Sequence, residues 1–122
     1  FKVKINMDVT KLELMDYGKL WECVINRKPT DEKRIPGAFT GWDNTPRKGI
    51  HGLVVNNASP ELFHQYFSKQ IRRAKEVYHK DMIFVAAWNE WAEGACLEPD
   101  RNYGYAYIQA TRNVLEKYKI KK

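Results

Sequence analysis

The first residues of the chain alternate between apolar and polar side chains. A period of two is typical of a β-strand with one buried face, which here would carry Phe1, Val3, Ile5, Met7 and Val9. Between residues 14 and 26 the apolar spacing changes to three and four, which predicts a helix with Asp16 as its N-cap and an end before Pro29. The polar stretch NRKPTDEKR that follows predicts a loop.

Shorter apolar runs predict further strands. Residues 35–42 (IPGAFTGW) have strand composition interrupted by proline and glycine, which favours a distorted strand or a strand that leads into a functional loop. The turn-rich segment DNTPRKG follows, and residues 53–57 (LVVNN) predict a short strand. Ser59 and Pro60 are typical of a helix start, and apolar spacings of three and four extend that helix to Tyr78.

The most continuous apolar run is MIFVAAW at residues 82–88, which predicts a strand covered on both faces of a sheet. A long loop is expected after it, and then a last helix over residues 103–119. Strands that alternate with helices imply an α/β fold with a parallel sheet. In such sheets chemistry collects at the carboxyl ends of the strands, so the residues after this run are the first candidates for a site.

Two carboxylates follow this strand between two tryptophans, in the segment WNEWAEG. Beside Trp88 and Trp91, we expect at least one of the carboxylates of Glu90 and Glu93 to be partly desolvated, which raises the pKa of a carboxyl group. Two carboxyls in unlike environments are the minimum equipment for glycosidic bond chemistry. The alternative is that the glutamates are solvated loop acids and that the tryptophans only pack the loop.

The composition is that of a globular protein, with 43% hydrophobic and 13% aromatic residues. The formal net charge of +6 comes mostly from basic segments that fit helix surfaces and a tail better than a nucleic-acid interface. No apolar run is long enough to span a membrane. The two cysteines lie far apart and the three histidines lack ligand spacing, so we expect a reduced, cytoplasmic protein without a metal or another cofactor.

Three separated segments together resemble the C-terminal part of the WbsX-type family, which is similar to glycoside hydrolase family 99. The segments are GWDNTPRKG, AWNEWAEGACLEPD and NYGYAYIQATR, and the resemblance covers residues 34–118. It implies a (β/α)8 (TIM) barrel, of which this chain, a single segment 1–122, would supply only the last strands and helices. It also implies a carbohydrate-active bacterial protein of surface polysaccharide or lipopolysaccharide biosynthesis that acts on a saccharide substrate.

The resemblance also implies roles for the two glutamates. In family 99 the first glutamate of this motif draws the proton from the sugar 2-hydroxyl, and the second is the acid/base at the glycosidic oxygen. Glu90 takes the first role by this resemblance and Glu93 the second, with retention through a 1,2-anhydro sugar. Water or a sugar hydroxyl can open that intermediate, so hydrolysis and transfer both remain open. Ala92 stands where these hydrolases often carry histidine, which leaves the sugar unassigned.

Further residues near the two motifs are candidates for holding the saccharide: Trp42, Asp43, Asn44, Arg47, Trp88, Asn89 and Trp91. The first four of these could alternatively orient Glu90. For Asp43 and Asn44 the structural alternative is an Asx turn before Pro46. The tyrosines near the start of the last helix are expected to pack rather than to bind sugar. The rival function is a non-catalytic carbohydrate-binding module whose tryptophans stack on sugar rings.

An incomplete barrel would leave open strand edges and an uncovered apolar face. We therefore expect the isolated chain to be inactive alone. We also expect it to associate, either with the missing barrel portion or with further copies of itself as a homo-oligomer.

Overall fold

The structure is a computed structural model that describes residues 11–119, and the strand predicted at Phe1–Val9 lies outside them. The described residues form a mixed α/β arrangement of helices and short strands. In chain order the elements are β1 (Glu13–Asp16), α1 (Tyr17–Asn26), β2 (Gly37–Phe39), β3 (Trp42–Asp43), α2 (Thr45–Lys48), β4 (Leu53–Asn56), α3 (Pro60–Glu76), β5 (Phe84–Ala86), β6 (Asn89–Glu90), β7 (Ala95–Cys96) and α4 (Ala106–Lys117).

The described strands form three small sheets. In the first sheet β4 lies between β1, its parallel neighbour, and β3, its antiparallel neighbour. The second sheet pairs β2 with β5 in parallel, and the third pairs β6 with β7 antiparallel. The prediction of an α/β fold is confirmed, whereas the purely parallel sheet is wrong because β3 and the β6–β7 pair run antiparallel. In a (β/α)8 barrel each strand pairs in parallel with the next strand of the barrel. The described strands do not form one such continuous parallel series, so the barrel stays a prediction.

The start of α1 is set by a side chain. Asp16 Oδ1 accepts a hydrogen bond from Lys19 N at 2.9 Å, which confirms the predicted N-cap. The helix ends at Asn26, as expected from the proline that follows. The predicted start near Leu14 is wrong, because Leu14 pairs with β4 as part of β1.

The longest helix, α3, also begins where the sequence predicts. Ser59 Oγ accepts a hydrogen bond from Leu62 N at 3.2 Å, and Pro60 occupies the first helical turn. The apolar stripe of α3 turns inward, so that Phe63 and Phe67 are buried. The stripe is therefore core, as its spacing indicates.

An aromatic cluster joins the helices to β2. Trp21 of α1 is fully buried between Phe39 of β2 and Tyr66 of α3, at ring-centroid distances of 5.0 Å and 5.6 Å. Phe63 lies 5.6 Å from the ring of Tyr107, which begins the buried face of α4. Aromatic pairs of this kind contribute about 0.5–1.5 kcal/mol each beyond the area they bury. They fix α1, α3 and α4 behind the strands that lead to the candidate site.

The strand predicted at residues 82–88 is shorter and more exposed than expected. β5 covers only Phe84–Ala86, and Phe84 is 66% exposed. The prediction of a strand covered on both faces is wrong, because β2 is its only neighbour among the described strands. The long loop after it contains β6 and β7, and the last helix begins at Ala106. Within residues 11–119, no helix combines the length and the apolar character needed to cross a bilayer.

Candidate functional site

Glu90 and Glu93 lie on one tight hairpin. β6 and β7 pair antiparallel with Glu90 opposite Ala95, and the 3₁₀ turn Trp91–Glu93 joins the two strands. Gly94 ends the turn with a φ of 61°, a left-handed conformation that glycine adopts without steric cost. The hairpin therefore holds the two carboxylates at either end of a single short turn.

The base of the hairpin is tied to Trp88 and fixes the orientation of Trp91. Leu97 N and Glu98 N both donate hydrogen bonds to Trp88 O at 3.0 Å. The Trp91 Nε1–H group donates to Glu98 Oε2 at 2.9 Å. The indole of Trp91 is thus held in place while it stays 52% exposed. Glu98 orients a tryptophan in this structure.

The segment GWDNTPR lies directly against this hairpin. A Cβ atom placed on Gly94 would lie 3.4 Å from the backbone nitrogen of Asp43, so the two segments are in van der Waals contact. Arg47 Nη1 donates to Glu93 Oε1 at 2.8 Å. Arg47 and Glu93 are 46 positions apart in the sequence. The structure therefore joins two of the sequence motifs into one site.

Asp43 and Asn44 build the turn that carries Arg47. Asp43 Oδ1 accepts hydrogen bonds from Thr45 N at 2.9 Å and from Thr45 Oγ1 at 2.6 Å. Asn44 is buried, and its Oδ1 accepts from Leu53 N at 2.7 Å. The predicted Asx turn is thus present for Asp43, whereas the Asn44 side chain ties the turn to Leu53 instead. The side-chain oxygen of Asn44 is engaged inside the fold, and the short helix α2 projects Arg47 towards the hairpin.

The site is open to solvent. Glu90 is exposed and Trp88 is 55% exposed, so the indoles do not shield Glu90 from water. The side chain of Glu93 retains only 20% of its accessible surface. The two carboxyls nevertheless have unlike environments. Glu93 pairs with Arg47, whereas Glu90 has no cationic partner among the described residues. Asn89 is exposed on β6 next to Glu90.

A cleft of about 490 Å³ adjoins the hairpin. Its walls include Trp42 and Asp43 from β3 and Trp91 and Gly94 from the turn. Neither glutamate of the pair is among its lining residues. The cleft therefore lies beside the two carboxylates and does not enclose them.

Cys96 lies on β7 of the hairpin and is buried, whereas Cys23 is exposed, and neither forms a disulfide. Burial, together with the nearby carboxylates of Glu98 and Asp100, raises the pKa of the Cys96 thiol. A protonated thiol is a poor nucleophile, so Cys96 packs the hairpin. Within the part of the chain that the structure describes, no group of three or more His, Cys, Asp or Glu side chains is placed to hold a metal ion.

Both motifs lie within a region that matches a known protein family. The sequence model of the family described as Glycosyltransferase WbsX matches residues 1–111. This chain belongs to the WbsX family. The match confirms the predicted resemblance and extends it to the N-terminal residues, which lie outside the three segments that first indicated it.

Two curated relatives of this WbsX family member carry the name uncharacterized protein WxcX and come from two strains of Xanthomonas campestris pv. campestris. Each is 38% identical over 105 residues, which are 84% of this chain and 15% of the relative. The chain therefore spans a small part of the length of these relatives. No solved structure matches it.

This WbsX chain brings three further polar residues to the cleft, Asn57, Asp100 and Asn102. Sequence reasoning missed the two asparagines, whereas it offers Asp100 as a third acidic contact, with capping of the last helix as the alternative. Asn57 follows the carboxyl end of β4, where polar side chains are candidates for a site in an α/β fold. Asp100 and Asn102 lie in the turn before α4. The asparagines that end LVVNN were the available signal for Asn57, and the turn residues in EPDRNYG were the signal for Asn102.

Proposed function

We propose that this WbsX family member acts in bacterial surface polysaccharide metabolism of the lipopolysaccharide type. In this proposal Glu90 and Glu93 are the reacting carboxylates of glycosyl transfer or of retaining glycoside hydrolysis. The observation that carries the proposal is the contact between the two motifs, in which Gly94 packs on Asp43 and Arg47 pairs with Glu93. Membership of a glycosyltransferase family supports a saccharide substrate.

The resemblance to glycoside hydrolase family 99 supplies the order of proton transfers. Glu90 takes the proton of the sugar 2-hydroxyl, the freed oxygen attacks C1, and the glycosidic oxygen leaves with a proton donated by Glu93. Water or an acceptor hydroxyl then attacks C1 of the 1,2-anhydro sugar and gives its proton to Glu93, while Glu90 returns its proton to the sugar oxygen. Hydrolysis and transfer differ only in the second nucleophile.

The remaining candidates support this chemistry from different positions. Trp88 and Trp91 are exposed aromatic faces next to the carboxylates, and Asn89 precedes Glu90 on the same strand. Asp43 and Asn44 hold the turn that positions Arg47. A further part of the proposal is that strands of a (β/α)8 barrel cover the open edges of β1 and β5 in the complete assembly. The exposed apolar side chains of Leu14 and Phe84 support such a cover.

Substitution of Glu93 by Gln tests the catalytic assignment. Glutamine keeps the size of the side chain but cannot donate a proton, so we expect kcat to fall by on the order of 10²–10⁴-fold while saccharide binding is retained. The assay uses the full-length protein and a panel of nitrophenyl glycosides. It measures both hydrolysis and transfer of the glycosyl group to added sugars. Glu116→Gln is the matched control, because Glu116 also pairs with an arginine at 2.8 Å but lies on α4. Unchanged turnover of Glu93→Gln rejects the assignment.

The alternative is a non-catalytic carbohydrate-binding module, and the half-exposed rings of Trp88 and Trp91 favour it as the second candidate. A binding module would show no turnover before any substitution is made. It would lose saccharide affinity in Trp91→Ala, because stacking on the indole would be the main contact. Glu93→Gln would then have no turnover to remove and should leave saccharide affinity nearly unchanged.

A further inference from the structure

The cleft beside the hairpin, called the hairpin cleft below, has the size and lining of a small-ligand site. Its volume of about 490 Å³ falls within the range of about 300–1,000 Å³ in which small molecules bind. Aromatic rings and uncharged or acidic polar groups line it together, among them Trp42, Trp91, Tyr103, Asn57, Asp100 and Asn102. Rings that stack and polar groups that hydrogen-bond are the two requirements for holding a sugar.

One wall of the hairpin cleft is held rigid by Asp100. Its Oδ1 accepts hydrogen bonds from Asn102 N at 2.7 Å and from Tyr103 N at 2.6 Å. Backbone hydrogen bonds to and from Gly104 close the same turn. The second carboxylate oxygen of Asp100 has no partner among the described residues and is available as an acceptor. A wall fixed in advance lowers the entropic cost of binding.

Other lining residues of the hairpin cleft present a second acceptor and oriented rings. Asn57 donates from Nδ2 to Asp16 Oδ2 at 2.8 Å, which leaves its side-chain oxygen available. The indole of Trp91 is fixed by Glu98, as described above, and remains half exposed. The Tyr103 ring is held edge-to-face against Tyr107 at 5.7 Å.

Two donors in the wall have no partner among residues 11–119. They are Thr40 Oγ1 and Trp42 Nε1, both buried, and both residues line the hairpin cleft. A buried donor without a partner costs about 1–3 kcal/mol. Both atoms have almost no surface open to the cleft, so they belong to the structure of its wall and are not among the groups that would contact a ligand.

The charge of the lining selects among sugars. Asp43 and Asp100 line the hairpin cleft, and no lysine or arginine is among its lining residues. A sugar that carries a carboxylate would meet uncompensated negative charge there. The lining therefore fits a neutral sugar and disfavours a uronic acid.

We propose that the hairpin cleft binds a neutral sugar unit next to the one whose glycosidic bond reacts. Trp91 and Gly94 line it and flank Glu93 closely along the chain, whereas neither Glu90 nor Glu93 lines it. The occupant is thus a neighbour of the reacting sugar. The position relative to the reaction rests on the function proposed above, but sugar binding in the cleft does not require it.

The test is an NMR titration of the 122-residue protein labelled with nitrogen-15. This chain is sufficient because every residue that lines the hairpin cleft lies within it. The indole N–H signals are assigned with single Trp→Phe variants. The ligands are the methyl glycosides of glucose, galactose, mannose, rhamnose and N-acetylglucosamine, together with the methyl glycosides of glucuronate and galacturonate. We expect saturable shifts of the Trp42 and Trp91 signals with at least one neutral glycoside and none of the fully buried Trp21 signal. The matching uronide should bind more weakly.

Asn102→Ala adds a site-specific readout, because its exposed side chain lines the cleft while its backbone makes the structural hydrogen bond. Loss of a hydrogen bond to the sugar should raise Kd by on the order of three- to tenfold. Asn113→Ala on the exposed face of α4 is the control and should leave Kd unchanged. Equal losses in both variants would overturn the assignment to the cleft.

The outcomes separate this inference from the proposed function. The inference is overturned if none of the neutral glycosides gives saturable shifts. It is also overturned if the uronides bind more tightly than the neutral glycosides. Glu93→Gln should leave cleft binding unchanged. If turnover depends on Glu93 but no sugar binds in the cleft, only the inference fails. If the cleft binds sugar and turnover ignores Glu93, only the catalytic assignment fails.

Discussion

At the scale of single residues, the contact between Arg47 and Glu93 determines how the Glu93 carboxylate is held on the turn. Arg47 Nη1 donates a charge-assisted hydrogen bond to Glu93 Oε1 at 2.8 Å. The Arg47 side chain is more than half exposed, and pairs of this kind contribute about 0–1 kcal/mol to folding. The contact is therefore of little consequence for stability. Its effect is to orient the Glu93 carboxylate on the turn, which makes Arg47 a positioning residue.

Replacement of Arg47 by Gln should lower kcat without unfolding the protein. A carboxylate that loses its orienting partner is displaced from the reacting oxygen, and such displacements cost on the order of 10–100-fold in rate. The free energy of unfolding should change by less than about 1 kcal/mol, measured by chemical denaturation. Arg47→Lys should restore part of kcat, because a single contact to Oε1 needs a cation more than it needs a planar fork.

The control for this prediction is Arg112→Gln, which removes an arginine that pairs with Glu116 at 2.8 Å on α4. It should leave both kcat and KM unchanged. A fall in kcat of the same size in both variants would point to a general loss of structure. A normal kcat in Arg47→Gln would contradict the positioning role.

At the scale of elements, the β6–β7 hairpin depends on Gly94. Its φ of 61° costs other residues about 1–2 kcal/mol, and a Cβ atom there would also lie against Asp43. Gly94→Ala should therefore lower the free energy of unfolding by at least about 1 kcal/mol and alter the turn that packs on β3. Denaturation measures the first effect. The second is measured by the loss of turnover and by a shift of the Trp42 indole signal.

Gly49→Ala serves as the control for the cost of placing alanine at a backbone position with positive φ. Gly49 has a φ of 53°, and a Cβ atom there would meet nothing within 4 Å. Its ψ of −131° differs from the 22° of Gly94, but both glycines have a positive φ that disfavours alanine. Gly49→Ala should therefore lower stability without any loss of turnover. If both alanine variants retain turnover and the native Trp42 signal, the close packing of hairpin and β3 has no role in the site.

Helix starts were predictable from the sequence because a cap depends on near neighbours. Asp16 and Ser59 each bond a backbone N–H three residues along, so the local pattern contains the cause. Strand burial was not predictable in this way. Phe84 lies in an apolar run, but its burial depends on a partner surface that residues 11–119 do not supply.

The candidate site was predictable only in its parts. The acids Glu90 and Glu93 could be chosen because a family resemblance and an apolar run point to the same segment. The hairpin was missed because its pairing is made by backbone groups, and Gly94 was its one local signal. The Arg47–Glu93 contact was missed because it joins distant segments through tertiary packing, which no spacing rule reports.

At the scale of the whole molecule, apolar side chains and strand edges remain uncovered. The large exposed hydrophobic residues include Leu14, Met15, Ile35, Met82 and Phe84. Among the described strands, β1 and β5 each have a single neighbour. Open edges beside apolar side chains favour pairing with further chain. Either the rest of a longer family protein or a second copy of this chain would satisfy them.

The isolated 122-residue chain should therefore associate into a dimer or a larger assembly. Size-exclusion chromatography with light scattering, run over a range of concentrations, measures this directly. Phe84→Lys should shift the equilibrium towards the monomer, because it places a charge on the open strand β5. Tyr105→Lys is the matched control, since both aromatic residues are 66% exposed but Tyr105 lies outside the strands. A wild-type chain that is monomeric at every concentration contradicts the prediction, and equal effects of the two lysines would mean that association does not use β5.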